Sequence, residues 1–437
     1  MGGVSSSRTV EFPDAVAATV SPTSRAYDIV VWGATGFAGQ LVAEHLSSHY
    51  TTDELTVALG GRNESKLHRL AEKLAGESTD RDSIPVIVAD ATDPTTLGEM
   101  ASQTRVVCTT VGPYTTYGTP LVEACIEAGT DYCDLTGEIN WVREMIDRYH
   151  EKAVAADVKI VHSCGFDSIP ADLGTKLLQS FADEEFGEPC EFVRIYLEDG
   201  AGGVSGGTLA SAAELFEAAT TDPIARETLS NPYSLAPPGE RQGVDTGDQR
   251  RPKRDSIRSV WTAPSPMAAV NERVIRRSNA LLEYPWGREF RCAEVIPTGP
   301  GIAGAAAAGG IAIGLGVGTA AMSSALLRRG LRRFVFPAPG TGPSRDEIES
   351  GHFLIRVIGR GTATDGPFTV MSEIGAALDP GYGATAQMLG EAAMCLLRGD
   401  TESPLTGGIL TPASGIGDPL GDRLRDVGFS VTVGEWP

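Results

Sequence analysis

Between residues 27 and 164, short, mostly apolar runs alternate with segments whose apolar residues recur every three or four positions. The runs Ile29–Trp32, Leu55–Leu59, Ile84–Ala89, Val106–Val111, Asp131–Leu135 and Lys159–Cys164 are too short for helices and predict strands. Between them, helical spacing falls on Leu41, Val42 and Leu46, and on Leu67, Leu70, Ala71 and Leu74 behind Asn63 as N-cap. Further helices are predicted near 94–102, 119–128 and 139–155. This alternation predicts an α/β fold, a Rossmann-type doubly wound parallel sheet with right-handed crossovers. Ligands of such sheets sit at the carboxyl ends of the strands.

After residue 190 the rhythm changes. Residues 191–198, 289–296, 353–358 and 368–374 read as strands, 208–219 and 383–397 as helices, and 222–257 as an extended or mobile loop. A second, α+β domain with an antiparallel sheet is predicted. The chain then divides into a disordered leader (1–26), a dinucleotide domain (27–170), a substrate or oligomerisation domain (171–377) and a C-terminal segment (378–437) packing back on the dinucleotide domain.

One stretch departs from this pattern. Val295 to Leu327 holds no charged residue, and Arg328, Arg329, Arg332 and Arg333 follow it. A helix over 302–327 would be roughly 39 Å long at ~1.5 Å per residue, against a bilayer core of ~30 Å. Ala and Gly dominate the stretch, which weakens insertion. A buried or interfacial helix with membrane-surface contact, a true span and a soluble packing segment all remain open. The Met1-Gly2…Ser6 match to a myristoylation pattern is too short to separate from chance.

Composition narrows the function. A net charge of −21 argues against a nucleic-acid partner. Seven scattered cysteines without a Cys-x-x-Cys pair indicate a reducing compartment, hence a cytoplasmic location, peripheral to the plasma membrane if the apolar stretch meets lipid. Six histidines without ligand spacing argue against a bound metal.

The chemistry concentrates at the strand ends. Gly33-Ala34-Thr35-Gly36-Phe37-Ala38-Gly39 lies between the first strand and first helix, as a dinucleotide cradle requires. Gly33 is assigned the sharp turn, Gly36 the close approach to pyrophosphate with φ > 0, and Gly39 the helix–strand contact. At the end of the second strand Arg62 replaces the acid that reads a ribose hydroxyl, which favours NADP (NADPH) over NAD; Lys66 can assist. Asp90 and Ala91 are placed to meet the adenine. Gly112 and Pro113 lie beside the nicotinamide, and Cys164–Pro170 forms another wall. Tyr114, Tyr117 and Asp167 are the catalytic candidates, with Ser168 as an orienting group. Each has a structural alternative: packing tyrosines with satisfied hydroxyls, or an Asp that caps a helix.

The stretches Val31–Gly39, Val111–Gly118, Cys164–Asp172, Pro339–Ser344 and Gly407–Pro412 resemble saccharopine dehydrogenase-like oxidoreductases, in particular trans-acting enoyl reductases. The resemblance covers roughly residues 27–437. It implies a nicotinamide cofactor and reduction of an enoyl thioester made by a polyketide synthase that lacks its own reductase, in complex lipid and glycolipid synthesis. It also implies lipid-surface association, as in other members of the wider family. No Arg set suited to saccharopine is visible. A reductase of C=N or C=O bonds, a non-catalytic dinucleotide-binding protein, and a homodimer all stay open.

Overall fold

The computed structural model describes residues 25–77, 83–201, 222–324 and 342–436. The N-terminal leader up to residue 24, the 208–219 helix, most of the preceding glycine turn, the arginine cluster after Leu327 and Pro339–Thr341 lie outside the described residues.

Six βα units open the chain: β1 (Tyr27–Trp32), α1 (Phe37–His49), β2 (Val57–Gly61), α2 (Glu64–Glu77), β3 (Val86–Val88), α3 (Pro94–Ser102), β4 (Thr104–Thr109), α4 (Tyr114–Ala128), β5 (Asp131–Asp134), α5 (Ile139–Ala155), β6 (Lys159–Val161) and α6 (Ile169–Phe186). Strand β1 pairs in parallel with both β2 and β4, so the order reverses between β1 and β4. A crevice opens at the carboxyl ends of these two strands. Ile29, Val30, Val31, Val107 and Leu59 are fully buried, because helices cover both faces of the sheet. Helix α4 begins at Tyr114, five residues before the expected start. Its first turn is held by Glu138, which accepts from the backbone N–H of Tyr114 (2.9 Å) and of Thr115 (2.8 Å).

The second layer follows: β7 (Phe192–Ala201), α7 (Pro223–Ser230), β8 (Lys253–Arg254), β9 (Trp261–Pro264), α8 (Ala268–Leu281), β10 (Arg291–Gly299), α9 (Gly301–Ser323), α10 (Arg345–Ser350), β11 (His352–Ala363) and β12 (Gly366–Ala376). The C-terminal segment contributes α11 (Thr385–Arg398), β13 (Gly408–Leu410), α12 (Pro412–Gly415), α13 (Pro419–Asp426) and β14 (Ser430–Glu435). The first sheet runs β13-β6-β5-β4-β1-β2-β3 and the second β14-β12-β11-β7-β10-β9-β8. The second sheet is mixed rather than antiparallel, because β7 and β10 pair in parallel.

The expected boundary at residue 170 falls inside α6. One apolar core runs from Ile29 and Leu59 through Cys164 and Ile169 to Val193, Val357 and Ile374. Segment 378–437 divides between both sheets: β13 joins β6, whereas β14 joins β12.

Residues 222–257 form more than a loop. Helix α8, which the charge pattern hid, is buried along nearly its whole length and fixes them with arginines. Arg273 pairs with Asp248 at 2.9 Å, Arg276 with Asp245 at 2.7 Å, and Arg277 donates to the Leu235 carbonyl at 2.6 Å. A polar helix reads as solvated only while its partners are unknown.

Helix α9 is not a buried helix. Its base docks on β9 and β10, where Thr298 donates to the Gly304 carbonyl at 2.8 Å. Above that base only Ala308 and Met322 are buried, and Ile302 and Ile313 are 90% and 69% exposed.

Candidate active site

The glycine turn closes through backbone bonds. The N–H groups of Gly33 and Ala34 both donate to the Gly60 carbonyl (3.0 and 3.1 Å), and that of Gly36 donates to Gly33 (2.9 Å). Gly33 takes φ +88°, and a Cβ there would stand 2.6 Å from Val111 Cγ2. A Cβ on Gly39 would stand 2.2 Å from the Gly33 carbonyl oxygen, so α1 can approach the turn only through glycine. The role assigned to Gly36 needs correction: its φ is −77°, ordinary extended backbone, and the left-handed residue is Gly33. Gly36 matters through space, since its Cβ would lie 3.2 Å from the Gly33 oxygen. No side chain caps α1. The first-turn N–H groups are thus left to an anionic ligand, and this cradle, too tight for side chains, fits a dinucleotide pyrophosphate.

Thr35 keeps its carbonyl bonded to the Gln40 side chain (3.2 Å), and Phe37 packs edge-on against Tyr382 (4.8 Å). Ala34 is buried, and Ala38 is half-buried at the helix start. Gly112 and Pro113 follow Val111, whose side chain abuts Gly33, so the loop after β4 runs beside the turn. Arg62 is exposed at the end of β2. Across the β2–β3 ends, Asp90 is held below the usual carboxylate range by the backbone N–H and hydroxyl of Thr92, with a smaller contribution from the Arg62 charge. Arg62, Asp90 and half-buried Ala91 thus share one rim of the crevice.

Tyr114 is not offered to a ligand. It is buried, its hydroxyl donates to the Thr109 carbonyl at 3.2 Å, and its ring stacks on Trp141 at 5.5 Å. Burial, with the Asp134 charge adding to it, drives its phenol well above 10. Tyr114 is a packing residue, as a Tyr after a strand often is. Tyr117, one turn on, is half-buried and remains a candidate by position.

Asp167 has its Oδ2 3.8 Å from the place a Cβ on Gly137 would take, between the loops after β5 and β6. Burial pushes its carboxyl up to about 6. Its neighbour Ser168 donates to Asn271 Oδ1 at 2.9 Å, and so ties this loop to α8.

A narrow cavity of about 20 Å³, room for a single water-sized group, opens where this loop meets the second sheet. Phe166 and Pro170 form one wall, Leu197 and Ile355 the other, and Asn271 and Glu294 supply its polar groups. Glu294 is buried and accepts hydrogen bonds from Ser265 and from Asn271 Nδ2, the latter at 2.6 Å. Burial pushes its carboxyl up to about 7. Asn271 and Glu294 were not foreseen: they lie over a hundred residues from the loop they meet. The only local signal was an acid sharing a strand face with buried Cys292. Among the described residues no cluster suited to a metal exists.

The description "Saccharopine dehydrogenase NADP binding domain" matches residues 29–161. A Mycobacterium tuberculosis protein provisionally named a trans-acting enoyl reductase is 41% identical over 424 residues, covering 94% of this chain and 98% of the relative. A Mycobacterium ulcerans trans-acting enoyl reductase is 39% identical over 427 residues, covering 95% of this chain and 99% of its own. The fold is similar to that of saccharopine dehydrogenase from Saccharomyces cerevisiae, with a TM-score of 0.54 at 14% identity, covering 94% of this chain and all of that one. With a cradle shaped for a dinucleotide and relatives matched nearly end to end, the chain belongs to the NADP-dependent saccharopine dehydrogenase-like oxidoreductases, in the branch of the trans-acting enoyl reductases.

Proposed function

We propose that this protein reduces the α,β-double bond of an enoyl thioester with NADPH, in trans to a polyketide synthase that supplies the acyl chain. The observation that carries the reading is the 38–41% identity to trans-acting enoyl reductases over 94% of the chain. The cavity beside Phe166 has apolar walls and few polar groups, the character expected next to the reacting carbons, and at about 20 Å³ it takes a water-sized group rather than the acyl chain. Bound NADPH would supply a hydride to the β-carbon. The glycine turn and first turn of α1 would hold the pyrophosphate, and Arg62 the 2′-phosphate. Phe166, Leu197 and Ile355 would limit water beside the reacting carbons. The thioester oxygen, gaining charge, needs a donor, and Tyr117 and Asp167 are the candidates for it by sequence position.

The same reading extends to location. Helix α9 carries no charge, stands largely uncovered, and spans roughly 34 Å for its 23 residues at ~1.5 Å each, enough for a bilayer core. The protein then works at the cytoplasmic face of a membrane, where long acyl products for complex lipids or glycolipids collect.

NADPH oxidation monitored against a crotonyl thioester, a cyclic imine and a ketone tests the activity. Turnover confined to the thioester is expected. Reduction of the imine or ketone alone would replace the reading by a C=N or C=O reductase.

A further inference from the structure

We propose that Glu294 is the general acid of this site, delivering the proton to the α-carbon of the substrate. The inference rests on the enoyl reductase reading. Conjugate addition of hydride places electrons on the thioester oxygen and α-carbon, and the reaction ends only when the α-carbon gains a proton. That proton needs a donor beside the reacting carbons, protonated near neutral pH and shielded from bulk water.

Glu294 fits these conditions by its place in the fold. It lines the cavity from strand β10, 2% exposed. Its side-chain partners are neutral: the Ser265 hydroxyl and the Asn271 amide. Each carboxyl oxygen accepts one bond and keeps a second position, so a proton can point into the cavity. Glu272, nearby on α8, shows the contrast. It too is buried and pushed up to about 7, but it does not line the cavity, and Arg276 pairs with it at 3.1 Å. The charges that bear on Glu294 are acidic: Asp167 from the loop after β6 and Asp248 from the loop before β8. After burial, they add to the rise that keeps it protonated.

The site is also aimed. Asn271 is oriented by Ser168, whose hydroxyl donates to its Oδ1, so its Nδ2 must face Glu294. The chain Ser168–Asn271–Glu294 thus runs from the loop after β6 to the acid in the second sheet. In the proposed step the C=C electrons move toward the thioester oxygen as hydride arrives at the β-carbon. The enolate then forms its Cα–H bond with the Glu294 proton, and the carboxylate recovers a proton from solvent once the product has left. One NADPH and one proton are consumed per double bond.

Glu294→Gln is the decisive variant. Gln keeps the shape, and its Nε2 can donate to Ser265 while its oxygen accepts from Asn271. We expect kcat for a crotonyl thioester to fall about 10²–10⁴-fold, with NADPH affinity unchanged in a fluorescence titration of the protein without substrate. The alkaline limb of the wild-type pH profile, near 7, should vanish. With a 2-methyl enoyl thioester in deuterated water, the wild type should label one face of the α-carbon, and residual variant turnover both. Ser265→Ala is a smaller change that removes a bond favouring the charged acid. It should shift the alkaline limb of an otherwise folded enzyme upward, so it decides the matter if Glu294→Gln does not fold. A Glu294→Gln protein with kcat within threefold of wild type and one-face labelling, or a limb that Ser265→Ala does not move, overturns the assignment while leaving the enoyl reductase reading intact. A wild-type protein with no thioester turnover overturns both.

Discussion

Arg62 and Gly33 follow neighbouring strands, β2 and β1, yet control different things. Arg62 is exposed and makes little of the fold, so Arg62→Ala should leave stability unchanged. It should weaken NADPH about ten- to a hundredfold, the loss of one charge-assisted contact, and leave NADH binding as it was. Fluorescence titration with both cofactors checks this, and equal effects on both would mean that Arg62 does not read the 2′-phosphate. Gly33→Ala should damage the fold itself, because φ +88° is strained for alanine and its Cβ would strike Val111. Gly36→Ala should leave a folded protein, because φ −77° suits any residue, and should lower NADPH affinity through crowding at the cradle. Circular dichroism and calorimetry on the pair separate the two roles. The three-residue spacing of glycines made the cradle legible in the sequence. It did not say which glycine is left-handed, because that depends on how the turn hangs from the Gly60 carbonyl. Tyr114 illustrates the same gap: its position just after the fourth strand was readable, but the backbone carbonyl that takes its hydroxyl was not.

Among elements, the parallel sheet was legible because each strand is a short apolar run followed by a periodic helix. Helix α8 was not, since Glu272, Arg273, Arg276 and Arg277 look like a solvated face until Asp245, Asp248 and the Leu235 carbonyl are brought against them. Strands β13 and β14 were missed as short segments whose pairing is settled only by distant partners. Helix α9 was visible as a stretch without charge, and the fold adds that its sides are uncovered. We expect the protein to float with liposomes. Replacing Ile313 and Val317 together by lysine should abolish this, because each lysine near mid-membrane costs about 2.5–3.5 kcal/mol, while NADPH affinity stays unchanged. Flotation that survives both changes would exclude α9 as the contact.

At the scale of the whole molecule, buried acids set the pH response. Burial pushes Glu272 and Glu294 up to about 7 and Asp167 and Asp172 up to about 6. Each binds its proton more tightly folded than unfolded, so each favours the folded state below its unfolded value near 4 and loses that contribution as pH rises toward 6–7. Glu391 works in the opposite sense. Burial alone would raise it, but bonds from His45 and Tyr50 and the Arg423 charge hold it below the usual range, so its contribution is lost in acid. Stability should therefore peak near pH 5 and decline by pH 8, more shallowly in Glu294→Gln. Urea unfolding across that range gives the curve, and a flat or rising course from pH 5 to 8 would contradict the protonated acids.

The division of the C-terminal segment between two sheets has a consequence for synthesis. A ribosome releases β1 to β6 early, yet β6 gains its outer neighbour β13 only once residues 408–410 emerge, and β12 gains β14 only with residues 430–435. Until then two strand edges stand unpaired in the nascent chain, open to other growing chains. The protein should thus be unusually sensitive to late frameshifts and early stops: a chain ending before residue 405 would leave both edges bare at once and should collect in the insoluble fraction, dependent on chaperones that shield β-edges during translation.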